Sequence, residues 1–212
     1  GTPNTAIGKE ALCCNTTAAY NTSVGYASMC LNTTGAANTA LGFNTMLNNT
    51  TAANNVAVGA YALDANTEGA GNTAVGTSSL GANTTALANV AVGFDALKLN
   101  TTASYNTAVG AYSMDATTTG CKNTAVGFNS LGANTTGDDN VAIGQNSLRC
   151  ATTADANTAV GICSLFKTTT GAKNVGIGTC ALICNLTGEE NTAVGFNALT
   201  ETTTGSANVA VG

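Results

Sequence analysis

The sequence predicts an all-β chain wound as a parallel β-solenoid, a β-roll of twelve 17-residue coils. Three observations predict it. First, an Asn followed three residues later by Val, Ile or Leu and then by Gly returns every seventeen residues, with no insertion or deletion. It begins at Asn4, Asn21, Asn38, Asn55, Asn72, Asn89, Asn106, Asn123, Asn140, Asn157, Asn174, Asn191 and Asn208. Second, each period keeps a β-branched and an aliphatic residue two positions apart, the spacing of one face of a strand. Third, Gly, Asn and Thr hold fixed positions where a coil must turn.

A repeat of this regularity overrides a domain count based on length. Residues 1–212 read as a single continuous β-solenoid repeat region without recognisable caps, Gly1, Thr2 and Pro3 occupying the last positions of a preceding period. Solenoids usually carry atypical end repeats. The expectation is therefore an excerpt of a longer protein or a unit that stacks end to end. Charged residues make up only 8% of the chain, but low-complexity disorder would not require Val and Leu at fixed positions.

With the Asn as phase one, phase two is Thr or Val and phase four is Val, Ile or Leu in all thirteen copies. The two share one face of a short strand, and one Val and one Leu per coil supply its apolar burial. Phase three points the other way and is Ala except at Ser23 and Gly176. A freely solvated position would vary more, so a close neighbour is expected there. Phase eight is small in the same manner (Ala11, Ser28, Thr45), and phase nine is Leu or Met from Leu12 to Leu199. A second short strand is expected over phases seven to ten.

Phase five is Gly throughout: Gly8, Gly25, Gly42, Gly59, Gly76, Gly93, Gly110, Gly127, Gly144, Gly161, Gly178, Gly195 and Gly212. A corner with positive φ or close chain approach accounts for these turn glycines. Phases twelve to fifteen, usually Asn-Thr-Thr followed by Gly or Ala, form a second corner. The phase-one asparagines are expected to stack as a structural ladder, with successive coils about 4.8 Å apart. So small a core favours packing against other chains.

The phrase NTAVG, two variable residues, Ala/Ser-Leu and then Asn-Thr-Thr-Gly resembles the repeats of phage and other viral tail-fibre-like proteins and of large surface proteins of marine microbes. Residues 123–144 and 191–212 carry the likeness best. More distantly, NTAVG and NVAIG resemble the short motif of trimeric autotransporter adhesin heads, left-handed β-rolls with shorter coils that associate three around an axis. The resemblance implies a left hand, an oligomer and an extracellular, cell-surface or virion location.

Composition excludes several classes. Net charge is −5 with six Lys and Arg in all, so no basic stripe can neutralise nucleic-acid phosphates. No run of eighteen apolar residues predicts membrane insertion. Histidine is absent and the carboxylates fall at variable phases, so no enzyme, cofactor or metal is expected. The acidic pairs Asp138-Asp139 and Glu189-Glu190 lie three coils apart, too far to share an ion.

Eight cysteines remain. Cys13 and Cys30 share phase ten, and Cys163 and Cys180 share phase seven, in adjacent coils. The stacking distance suits a disulfide, so these are candidate bridges, consistent with an oxidising compartment. Cys150 and Cys184 share phase eleven two coils apart, while Cys14 and Cys121 lack neighbours at their own phases. Asn-x-Thr triplets at Asn15, Asn32, Asn49, Asn83, Asn100, Asn134 and Asn185 are glycosylation acceptors if exposed.

The expected function is a structural fibre or filament protein of an extracellular or virion-surface appendage. It associates with itself, as a homotrimer or a head-to-tail homopolymer. The alternative is a binding module. Thr pairs at phases thirteen and fourteen, broken at Glu68 and Leu186, superficially resemble ice-binding arrays. Tyr26, Phe43, Tyr61, Phe94, Tyr112, Phe128 and Phe196, at phases six and seven, offer a strip that could stack on cell-surface glycans.

Overall fold

The computed structural model describes residues 3–212 and holds thirteen three-residue strands and no helix among them. The strands repeat every seventeen residues, from β1 (Thr5–Ile7) and β2 (Thr22–Val24) to β13 (Val209–Val211). They form one parallel sheet in strict chain order. Register follows the repeat without slip: Thr5 pairs with Thr22 and Ile7 with Val24, and so on to Val194 with Val211. The chain is thus a β-solenoid of about twelve turns. At about 4.8 Å per step the sheet extends roughly 60 Å.

Backbone bonds between coils continue beyond the strands, as in Leu12 N–H to Ser28 O (3.1 Å) and Gly25 N–H to Ile7 O (2.8 Å). Most of the turn backbone therefore finds its partner one coil away. This satisfies groups that a buried loop would otherwise orphan.

Two expectations are corrected. The second strand over phases seven to ten does not form. Those residues are turns, with positive φ at phases seven and nine, as in Asp95 (55°) and Leu97 (50°). A strand requires negative φ throughout, and an L-residue held at positive φ costs roughly 1–2 kcal/mol. Burial of the phase-nine side chain offsets that cost, since Met46, Leu97 and Leu182 are completely enclosed.

The second correction concerns which strand face is inside. Phase three points inward, and Ala40, Ala91 and Ala142 are fully buried, whereas phases two and four face outward. The thin coil accounts for this choice. A Cβ added at Gly176 would stand 3.2 Å from Leu165 Cγ on the opposite wall, so phase three has room for Ala and little more. Close approach at phases three and eight is therefore real, but the Val of phase four does not share a core with the Leu of phase nine.

The phase-five glycines have φ between 126° and 143°, a region only glycine occupies readily. A Cβ on Gly25 would overlap the carbonyl oxygen of Gly42 in the next coil. The corner needs both the angle and the missing side chain.

The phase-one asparagines do form a buried ladder. The Asn38 N–H donates to Asn21 Oδ1 at 2.9 Å, and Asn38 Nδ2 donates to Ala52 O at 2.8 Å. A second ladder runs at phase twelve, where Asn49 Nδ2 donates to Asn32 Oδ1 (2.7 Å) and to the same Ala52 carbonyl (3.2 Å). Where Asn holds phase twelve, one carbonyl thereby ties two corners together.

Candidate functional site

The outward side of the thirteen-stranded sheet is a uniform surface that runs the length of the solenoid. Phase four presents an aliphatic side chain in every coil, and Leu41, Ile143 and Ile177 are 46%, 40% and 41% exposed. Phase two adds Thr or Val, and neither column carries a charge in thirteen copies. Solvation alone does not impose this. At phase ten, on the turns, the chain uses Leu47, Asp64, Gly81, Lys98 and Phe166 in turn. A flat apolar face on a parallel sheet is ordinarily covered.

The Thr corner presents one column rather than two. Phase-thirteen hydroxyls are spent on stacking, as Thr33 Oγ1 donates to Thr50 O at 3.0 Å. Phase-fourteen side chains are exposed, with Glu68 interrupting the Thr column. The aromatics gather into two groups. Tyr26 stacks on Phe43 at 5.4 Å and Phe43 meets Tyr61 edge-on at 5.4 Å. Tyr112 meets Phe94 and Phe128 at 5.4 and 5.9 Å. Phe196 stands apart and is widely exposed.

All eight cysteines are free thiols, so neither candidate bridge is formed. Stacking does bring Cys13 Sγ to 2.6 Å from Cys30 Sγ, longer than the bond of about 2.05 Å. Cys14 proves to have neighbours, its Sγ lying 3.7 Å from that of Cys13. Phases ten and eleven converge at this turn, which a comparison of like phases overlooks. The three sulfurs lie within 4.8 Å of one another at the surface. The contact with Cys30 is the foremost cause that raises the pKa of Cys13, and the contact with Cys13 is the foremost cause that raises that of Cys14. At phase seven, burial raises that of Cys163.

The acidic pairs take structural contacts. Asp138 Oδ1 accepts the Cys121 N–H at 2.6 Å, and Glu190 pairs with Lys173 at 3.5 Å. The glycosylation reading places its residues wrongly: Asn32, Asn49, Asn83, Asn100, Asn134 and Asn185 are completely buried and Asn15 half-buried. Their amide nitrogens already donate within the solenoid, as Asn83 Nδ2 does to Asn66 Oδ1 at 2.8 Å.

Two open notches beside Tyr61 and Tyr112 were not foreseen from sequence. Their signal was present as an Asp, Gly, Lys/Arg succession at phase ten, visible only when the chain is read down one column. No family model, curated protein or solved structure matches this chain.

Proposed function

We propose that the protein is a structural rod segment of an extracellular or virion-surface fibre, self-associating through the outward face of its sheet and carrying no catalytic role. The observation that carries this reading is the uncharged aliphatic column at phase four, half to fully exposed in the single chain yet kept in every coil. The occupant that fits it is a second copy. A face roughly 60 Å long and about 10 Å wide would bury on the order of 1,200 Å² between two copies, the lower end of stable interfaces. The likeness of the repeats to adhesin heads extends the proposal to a left-handed trimer, and their likeness to surface proteins supports the location.

The test is light-scattering mass of native, unreduced protein with negative-stain imaging of the same fraction. A discrete species near three times 20.7 kDa is expected for the trimer. Long uniform threads would make end-to-end stacking the mode of association. A persistent monomer would end the proposal.

A further inference from the structure

The two surface notches are one site drawn twice. The first is walled by Tyr61, Asp64, Gly81 and Lys98, the second by Tyr112, Asp115, Gly132 and Arg149. Each residue of the second lies fifty-one positions after its counterpart, which is three coils. Phase ten therefore runs acid, glycine, base in two successive sets of coils, with a Tyr at phase seven above each acid. Their volumes are about 290 and 410 Å³.

The glycine makes each opening. Where Gly81 and Gly132 stand, other coils carry Leu47, Phe166 or Ile183. Neither glycine adopts the left-handed region, so the backbone angle does not demand glycine, and a side chain at Gly132 needs only the flexible Asn129 carboxamide to move aside. The walls are prepared for polar ligands. Partial burial raises the pKa of both Asp64 and Asp115, despite backbone hydrogen bonds that oppose the shift. Each Tyr is braced by neighbouring aromatics: Phe43 for Tyr61, Phe94 and Phe128 for Tyr112. Lys98 is shared with Asp95 at 3.0 Å, while Arg149 lies 5.7 Å from the Phe166 ring and forms no ion pair among the described residues.

We propose that the two notches bind successive segments of one neutral linear polysaccharide laid along the rod. In each, a pyranose ring sets its C–H face on the Tyr. Its hydroxyls donate to the Asp carboxylate, and its oxygens accept from Lys98 or Arg149. Arg149 balances Asp115 in the second notch, Asp95 beside Lys98 leaves the first slightly acidic, and the chain is acidic overall, which disfavours a polyanion. Three coils separate the notches by about 14 Å, close to the length of a trisaccharide. Two weak sites at a fixed separation favour a polymer over a small zwitterion, because the second contact becomes intramolecular.

This proposal is independent of self-association, since phases seven and ten lie on turns away from the sheet face. The test is affinity electrophoresis of the full chain in gels containing galactomannan, xyloglucan or mixed-linkage β-glucan. Retardation by at least one is expected. A Gly81→Leu/Gly132→Leu double variant, filling both openings with a side chain that phase ten accepts elsewhere, abolishes it. Either single change weakens it at least tenfold. Tyr61→Ala/Tyr112→Ala gives the same loss if the filled variant misfolds by circular dichroism. No retardation by any of the three polymers, or equal retardation of both folded double variants, overturns the proposal, and neither result bears on the light-scattering mass.

Discussion

Thr117 interrupts the phase-twelve ladder and leaves two buried polar atoms, Asn100 Oδ1 and its own Oγ1, without a hydrogen bond. In an intact stretch the carboxamide one coil on fills this role, as Asn100 Nδ2 donates to Asn83 Oδ1 at 3.0 Å. A threonine hydroxyl is shorter and has one proton to give. Thr117→Asn should return an Nδ2 to Asn100 Oδ1 and to the Gly120 carbonyl. The expected gain is about 1–3 kcal/mol, the cost of an unsatisfied buried group. It would be read as a higher urea midpoint at unchanged slope; an unchanged or lower midpoint would count against the ladder as a source of stability. The phase-one ladder was legible because its Asn never varies. The phase-twelve ladder was not, because Thr117, Ala151, Thr168 and Thr202 replace Asn there, and the Asn-x-Thr triplets suggest a surface position.

At the scale of the coil, alternation placed the strands correctly but could not say which face is inside. Period two separates phase three from phases two and four; only the narrow gap to the opposite wall selects Ala as the inward residue. The turn over phases seven to ten imitates a strand in sequence for a related reason. Left-handed residues at phases seven and nine are themselves two apart, so Leu and small residues alternate as they would in a strand. The available hint was Asn at phase seven, at Asn44, Asn129, Asn146 and Asn197, a residue tolerant of positive φ. The phase-five glycine was legible because nothing else occupies that corner. Gly93→Ala should cost at least about 1–3 kcal/mol from the backbone region alone. The added Cβ would also overlap the Gly110 carbonyl. A thermal melt within error of the parent would refute this account of the corner, and Gly81→Ala, free of that angle, is the matched control.

At the scale of the whole rod, the long axis was legible from thirteen unbroken periods, but the exposed sheet face was not. Invariance alone groups the aliphatic phase-four residues with the Leu and Met of the core. The structure puts them outside, which turns a packing statement into one about assembly. Val92→Lys with Val126→Lys separates the two roles, because both side chains point outward from central strands and the backbone bonds of the coil remain. If the face joins copies, two charges buried without partners in each chain should weaken association at least tenfold, with a sedimentation profile shifting toward one chain. Stability of the isolated coil stack should move by no more than roughly 0.5 kcal/mol, as for ordinary surface changes. A variant that still assembles would place the contact elsewhere. One that unfolds instead would mean the aliphatic column supports the single chain directly, through contacts along the sheet between one coil and the next.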